Sequence, residues 1–195
     1  MVCLNLPPSE RYKRENVYLA GVMPGPKAPS LHQTNHFLDP LVDDLLVLWR
    51  YGARLPRTAL RPHNRLARCA AVPLISDLGA ARKVSGHASH SAAIFCSFCQ
   101  LKKADINNID KDTWPCRDCA TFRRLAEEWR SAHSTTRREA LFKEHGVRYS
   151  VLLKLPYWKP TRYVVVETMH NLFLGLFQRH CRSIFGMDIK AASQD

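Results

Sequence analysis

Four cysteines are spaced as two close pairs that could hold a metal ion. Cys96 and Cys99 form one C-x2-C pair, Cys116 and Cys119 form the second, and 16 residues separate the pairs. A two-residue spacer lets both thiolates of a pair face one ion, and two such pairs complete a tetrahedron around Zn²⁺. A site closed by four protein ligands is structural and not catalytic. The spacing therefore predicts a structural zinc site.

Two histidines offer a competing ligand set for the same ion. His87 and His90 precede the first cysteine pair, and together with Cys96 and Cys99 they also supply four donors. Free cysteines are commonly buried as packing residues, so packing is the simpler interpretation of any one cysteine. It is the interpretation we prefer for three isolated cysteines: Cys3, Cys69 and Cys181.

Two carboxylates stand where strands are expected to end. Asp77 follows an apolar run and precedes a basic stretch, and Glu167 is separated from His170 by two residues at a strand-to-helix junction. A carboxylate at the end of a strand can bind Mg²⁺, which prefers oxygen ligands. The ordinary alternative is that each carboxylate caps the helix that follows it. From spacing alone, metal catalysis is the less favoured of the two.

The positive charge of the chain is large and clustered. Lys and Arg number 29 against 17 Asp and Glu, a formal net charge of +12. Acidic residues are absent between Leu45 and Ser76 and again between Leu78 and Ala104. The planar guanidinium suits phosphate because it donates two hydrogen bonds at once. We therefore expect contact with DNA by Arg50, Arg54, Arg57, Arg61, Arg65, Arg68, Arg82 and Lys83.

The apolar patterns predict an α/β protein. Strands are expected at residues 2–6, 16–22, 70–76 and 163–166. Helices are expected at residues 40–51, 122–129, 135–145 and 170–186, the first of them capped by Asp39 with Pro40 at its first position. No apolar run approaches the length of a membrane-spanning helix, so no membrane partner is expected.

Two longer strings carry a family resemblance. SDLGAARKVSGHASH followed by FCSFC, and PYW followed by TMHNLFLGL, resemble fungal CACTA-type (En/Spm-like) DDE/D transposases, and the similarity extends over nearly the whole chain. The resemblance implies an RNase H-like core in which three acidic residues bind two Mg²⁺ or Mn²⁺ ions for attack on DNA phosphodiesters. It makes Asp77 the second acidic residue, places Cys96 and Cys99 in a zinc insertion, and matches Glu167 and His170 to a D-x-x-H motif.

The resemblance also predicts how the chain is organised. Residues 1–86 would form the N-terminal part of a truncated RNase H-like core, residues 87–119 the zinc-binding insertion, and residues 120–195 a helical segment, strand and helix that return to the core. The first and last catalytic carboxylates are expected to be missing. Glu167 also stands where Asp is expected, and a longer side chain moves the carboxylate by about an ångström, enough to disturb metal geometry.

These expectations lead to two functional hypotheses. The first is a fragment of a transposase, inactive alone, with unpaired strand edges and a tendency to aggregate unless another chain supplies the missing parts. The second is a zinc-stabilised, non-catalytic nucleic-acid-binding protein, which salt-dependent DNA binding would support. The expected partners are DNA and either a second copy or a full-length transposase chain. The expected location is the nucleus, or otherwise the cytoplasm.

Overall fold

The computed structural model describes residues 1–187. Within this range five α-helices, α1 to α5, span Pro8–Arg11, Leu31–Arg50, Leu78–Ser85, Cys119–Ser131 and Thr135–His145. Four strands, β1 to β4, span Ala53–Leu55, Arg65–Ala67, Leu74–Ser76 and Val164–Val166. Single 3-10 turns cover Arg14–Asn16, Lys103–Asp105, Lys111–Thr113 and Val151–Lys154, and π-helical segments cover Met169–Phe177 and His180–Ile184. The mixed α/β class is confirmed, while the end of the predicted segment 120–195 lies outside the described residues.

Helix α2 begins earlier than its apolar pattern predicts. The side chain of Ser30 accepts a hydrogen bond from the Gln33 backbone N–H at 3.3 Å, and Gln33 Oε1 accepts one from the Ser30 N–H at 2.8 Å. This reciprocal pair is a capping box, which satisfies two of the N–H groups that a helix start leaves free. The prediction that Asp39 and Pro40 begin the helix was wrong, because Pro40 lies inside it.

The strands form two separate two-stranded sheets. Strands β1 and β2 pair antiparallel, whereas β3 and β4 pair in parallel with Leu74 opposite Val164 and Ser76 opposite Val166. Strands β3 and β4 confirm two predicted strands with narrower limits. The strands predicted at residues 2–6 and 16–22 were wrong, because only an isolated bridge joins Val2 to Val17.

One apolar core joins the parallel sheet to the helices. Val42 and Leu45 of α2 pack with Ala81 of α3, with Val164 of β4 and with Trp158 in the connection before β4. All five side chains are buried. A second, smaller cluster lies between α4 and the chain after α5 and consists of Phe122, Ala126 and Val147. Helix α4 thus buries the amphipathic face that its sequence predicts.

The end of α3 is fixed by groups from a distant part of the chain. The Arg148 guanidinium donates to the Lys83 carbonyl, and the Ser150 hydroxyl donates to the Val84 carbonyl at 2.6 Å. Gly86 ends the helix with φ 86°, and a Cβ at this position would lie 2.4 Å from the Arg148 carbonyl oxygen. A side chain at Gly86 would therefore separate α3 from the segment that holds its C-terminal end.

Candidate functional site

Pro56 and Pro62 predict an irregular connection for the arginine-rich stretch between α2 and β3, and this prediction was wrong, because the stretch forms a β-hairpin. Arg54 on β1 pairs with Leu66, Leu55 pairs with Arg65 on β2, and reciprocal backbone hydrogen bonds between Thr58 and Arg61 lie inside the loop. We call residues 53–67 the basic hairpin.

The arginines on and beside the basic hairpin face solvent. Six of them are exposed: Arg50, Arg54, Arg57, Arg61, Arg65 and Arg68. None of their guanidinium groups forms an ion pair or hydrogen bond with another of the residues 1–187. Leu60, at the tip of the loop, is 90% exposed. The basic hairpin therefore presents several uncompensated cations on one narrow element.

The two predicted acidic residues lie at the same edge of the parallel sheet, each directly after a strand. Asp77 directly follows β3 and Glu167 directly follows β4, and the residues just before them, Ser76 and Val166, are partners in the register. The carboxyl ends of parallel strands are the usual location of ligand sites in α/β sheets. The structure thus brings two of the sequence-predicted positions to one edge, which we call the carboxylate edge.

Both carboxylates also have partners within the protein. Asp77 Oδ1 accepts from the Ala80 N–H at 2.9 Å and so caps α3. Glu167 accepts from the N–H groups of Met169 at 2.8 Å and His170 at 3.1 Å, and it also binds His170 Nδ1. The hydrogen bond with the His170 side chain is the main cause that lowers the pKa of Glu167. In the structure both carboxylates therefore accept hydrogen bonds from backbone N–H groups of the turn that follows them, as the capping alternative predicts.

The two cysteine pairs are brought close by the chain between them. An isolated antiparallel bridge pairs Cys99 with Cys116, and the Cys96 sulfur accepts a hydrogen bond from the Phe98 N–H at 3.3 Å. Cys119 points elsewhere, with its sulfur 2.9 Å from Thr161 Oγ1. In residues 1–187 no three His, Cys, Asp or Glu side chains converge as a ready metal site.

A half-buried arginine beside the thiols fits a metal that needs thiolates. Arg117 donates from Nε to the Cys99 carbonyl at 3.4 Å, while its Nη2 is buried without a partner. Burial lowers the pKa of Arg117, and the charges that Cys96 and Cys99 could carry oppose this shift. A buried cation is costly without a counter-charge, and zinc-bound cysteines are thiolates. The surroundings of the first pair therefore suit Zn²⁺ ligation.

The two histidines of the alternative ligand set are separated by burial. His87 is only 3% exposed, its Nδ1 lies 2.8 Å from Ser85 Oγ, and its Nε2 is buried without a partner. His90 is exposed. Burial is the main cause that lowers the pKa of His87 to about 3, so its ring is neutral near pH 7. A neutral imidazole with one oriented and one free nitrogen is chemically suited to bind a metal.

Comparison with known proteins decides the family. The model of transposase family tnp2 matches residues 1–139, more than half of the chain. The chain belongs to the tnp2 transposase family. The matched range contains the basic hairpin, Asp77 and both cysteine pairs, and it ends before Glu167. No curated protein and no solved structure gives a significant match. The predicted resemblance to a transposase is confirmed at this level.

In this tnp2-family chain the two remaining predicted DNA contacts do not lie on the open surface. Arg82 is buried in α3 with 7% exposure, and Lys83 is half-buried. Sequence reasoning did not anticipate this, nor the burial of Arg148. Arg148 packs against a segment 65 residues away, as its hydrogen bond to the Lys83 carbonyl shows. Also, no helix within the described part has the length and apolar character to cross a membrane.

Proposed function

We propose that this tnp2-family chain is a DNA-binding piece of the catalytic region of a CACTA-type transposase. The observation that carries the proposal is the basic hairpin, whose exposed arginines have no partner among the described residues. Cationic side chains release counterions from DNA when they contact phosphates, and this release drives binding at low salt. A two-stranded β-ribbon also has the width to enter the major groove. A DNA partner favours the nucleus as its location, with the cytoplasm as the alternative.

The carboxylate edge supplies part of the catalytic site in this proposal. Asp77 and Glu167 would hold a divalent ion, Mg²⁺ or Mn²⁺, and such an ion when bound activates an oxygen nucleophile for attack on a phosphodiester. His170 would orient Glu167 through their hydrogen bond. Three carboxylates hold the two-metal site that the family resemblance implies, and the described residues bring two to this edge. We therefore expect no strand cleavage from the chain alone.

Salt-dependent binding to a 30-bp duplex tests the role of the basic hairpin. The triple variant R57Q/R61Q/R65Q removes three exposed charges from the hairpin, and R14Q/R162Q/R179Q removes three exposed charges elsewhere. We expect the hairpin variant to reduce the slope of log K against log salt by about 2 to 3, since each phosphate contact contributes roughly 0.9. Fluorescence anisotropy between 50 and 300 mM salt measures this slope.

Two results would contradict the proposal. Equal losses in the two triple variants would mean that net charge and not the hairpin drives binding. Absence of duplex binding by the wild-type chain at the lowest salt would remove the DNA-binding function altogether. A divalent-metal cleavage assay on the same duplex completes the test, because cleavage that Asp77→Asn abolishes would show that the chain is active by itself.

The alternative is a zinc-stabilised, non-catalytic nucleic-acid-binding protein, favoured by the Cys99–Cys116 bridge and by the buried, unpartnered Nη2 of Arg117. Cys96, Cys99 and Cys116 would hold Zn²⁺, with Cys119 or His87 as the fourth ligand. We expect about one zinc per chain, lost in C99S and kept in C69S, whose cysteine is isolated and exposed. Metal analysis of C119S and H87Q then identifies the fourth ligand. Full zinc content in C99S would contradict the assignment.

A further inference from the structure

A cavity of about 730 Å³ lies beside the start of α3. Its cationic and imidazole side chains are Arg82, Lys83, His87 and His90, and apolar contact is offered by Leu78 and Phe142. No Asp or Glu of residues 1–187 lines it. The volume is within the range of sites that hold small molecules. The cavity thus combines positive charge with an apolar wall and carries no negative charge of its own.

Arg82 is the residue whose state in the structure points to a ligand. It is 7% exposed, its Nε is buried without a hydrogen-bond partner, and it forms no ion pair with any residue in the described range. Burial is the main cause that lowers the pKa of Arg82, and the charge that Cys96 could carry opposes this shift. Burying a cation without a partner is costly, so an anion entering the cavity would remove a penalty that the free protein carries.

Lys83 adds a second cation beside Arg82. Its backbone carbonyl accepts from Arg148, whereas its half-buried ammonium forms no ion pair or hydrogen bond with residues 1–187. A guanidinium can bind two oxygens of one phosphate, and a neighbouring ammonium can add a point charge. An anion with several oxygens, such as phosphate, suits this pair better than chloride or a single carboxylate does.

We propose that this cavity binds a nucleotide unit, with Arg82 and Lys83 on its phosphate and with Leu78 and Phe142 against its apolar part. Leu78 immediately follows Asp77, so the apolar part of the bound unit would lie next to the carboxylate edge. In this respect the inference rests on the proposed function, because it makes the nucleotide a unit of the DNA substrate. The cavity is distinct from the basic hairpin, which contributes no lining residue.

Calorimetric titration of the full chain with inorganic phosphate and with dAMP tests the cavity directly. We expect saturable binding of dAMP below about 5 mM, and weaker binding of inorganic phosphate because it lacks contact with the apolar wall. R82Q should weaken dAMP binding at least tenfold, and K83Q several-fold. The matched control is R124Q, which removes an exposed charge from α4 and should leave dAMP affinity unchanged.

The outcomes separate this inference from the proposed function. The hairpin variant R57Q/R61Q/R65Q should lose duplex affinity yet bind dAMP normally, which would support two distinct sites. The cavity proposal would be overturned if R82Q and K83Q both bound dAMP with wild-type affinity, or if the wild-type chain showed no saturable dAMP binding. Neither result would contradict duplex binding by the basic hairpin. Equal affinity for phosphate and dAMP would overturn the nucleotide assignment. If thermal melting shows that R82Q is unfolded, K83Q alone decides the question.

Discussion

At the residue scale, the most informative side chains are buried cations and imidazoles that lack a charged partner. Arg148 is 1% exposed, and burial lowers its pKa to about 10. Among residues 1–187 its guanidinium donates to two backbone carbonyls, that of Tyr149 and that of Lys83 at the end of α3. A cation is favourable at a helix C-terminus because the last carbonyls carry partial negative charge. Arg148 therefore has a structural role, which distinguishes it from Arg82.

His87 gives the stability of the chain a pH dependence in the acidic range. Its folded pKa of about 3 lies below the unfolded value of 6.5, so the unfolded chain binds the proton more readily. The stabilising effect is present above pH 6.5 and is lost as pH falls toward 3. We expect the free energy of unfolding to decrease by about 2 kcal/mol between pH 7 and pH 5 from this group alone.

Urea unfolding of the wild type and H87Q at these two pH values measures the effect. Glutamine cannot titrate, so the decrease should be smaller in H87Q by about the same 2 kcal/mol. The exposed His90 provides the control, because H90Q should keep the wild-type dependence. An unchanged pH dependence in H87Q would show that the ring is accessible to protons in the folded state.

The sequence could predict a residue's position wherever the determining pattern is local. Asp77 and Glu167 were placed after strands because short apolar runs precede them, and the register of β3 and β4 then brings them together. The Ser30 capping box corresponds to a local S-x-x-Q pattern, which lies nine residues before the Asp39-Pro40 pair that predicts a helix start. The burial of Arg148 could not be predicted, since it depends on the end of α3, 65 residues earlier in the chain.

At the element scale, one arginine joins α4 to the connection before β4. Arg123 donates to the carbonyls of Leu153 at 2.8 Å, Leu155 at 3.0 Å and Trp158 at 2.6 Å. This connection carries Leu155 and Trp158 into the core beside α2. Hydrogen bonds from a charged donor are stronger than neutral ones. Arg123 is therefore expected to fix the path that leads to β4 and Glu167.

Replacing Arg123 by methionine keeps much of the side-chain volume and removes all three donors. We expect R123M to lower the free energy of unfolding by about 2 to 4 kcal/mol, because three partly buried carbonyls lose their partner. The neighbouring R124M should change it by no more than about 0.5 kcal/mol, since Arg124 forms only an exposed ion pair with Glu128. Urea denaturation compares them, and equal effects would exclude the proposed role of Arg123.

The basic hairpin shows the limit of prediction for an element. Pro56 and Pro62 indicated a connection, and each strand has only three residues, too few to display an alternating pattern. The pairing is instead fixed by geometry, as at Gly52, where φ is 74° and an added Cβ would lie 2.7 Å from the Ala67 carbonyl oxygen. Such a close approach cannot be seen from composition.

At the scale of the whole molecule, apolar surface remains uncovered near the end of the described chain. Large exposed side chains follow one another in the π-helical segments and just beyond: Met169, Leu172, Phe173, Leu174, Leu176, Phe177, Ile184, Phe185 and Met187. In the described range strands β3 and β4 pair only with each other, so each has one unpaired edge, and Ile75 of β3 is 58% exposed. Exposed apolar patches and free strand edges mark surfaces that pair with another chain.

We expect the chain to self-associate through this apolar segment. Phe173 and Phe177 are four residues apart, contact each other with ring centroids 6.4 Å apart, and are each more than half exposed. Two glutamates there would place charges in a surface that must become dry on association. The variant F173E/F177E should therefore shift the chain toward the monomer in sedimentation velocity between about 5 and 100 µM, with the apparent Kd rising at least tenfold.

The matched control places the same two charges at the same spacing on the exposed face of α5, away from the apolar segment. T136E/A140E alters two exposed positions of α5 and should associate like the wild type, because it changes net charge equally without entering the apolar segment. Equal loss of association in both variants would attribute the effect to net charge. A wild-type chain that stays monomeric over the whole concentration range would exclude a second copy as the partner of the apolar segment. Co-sedimentation with a full-length transposase chain would then test the remaining candidate partner.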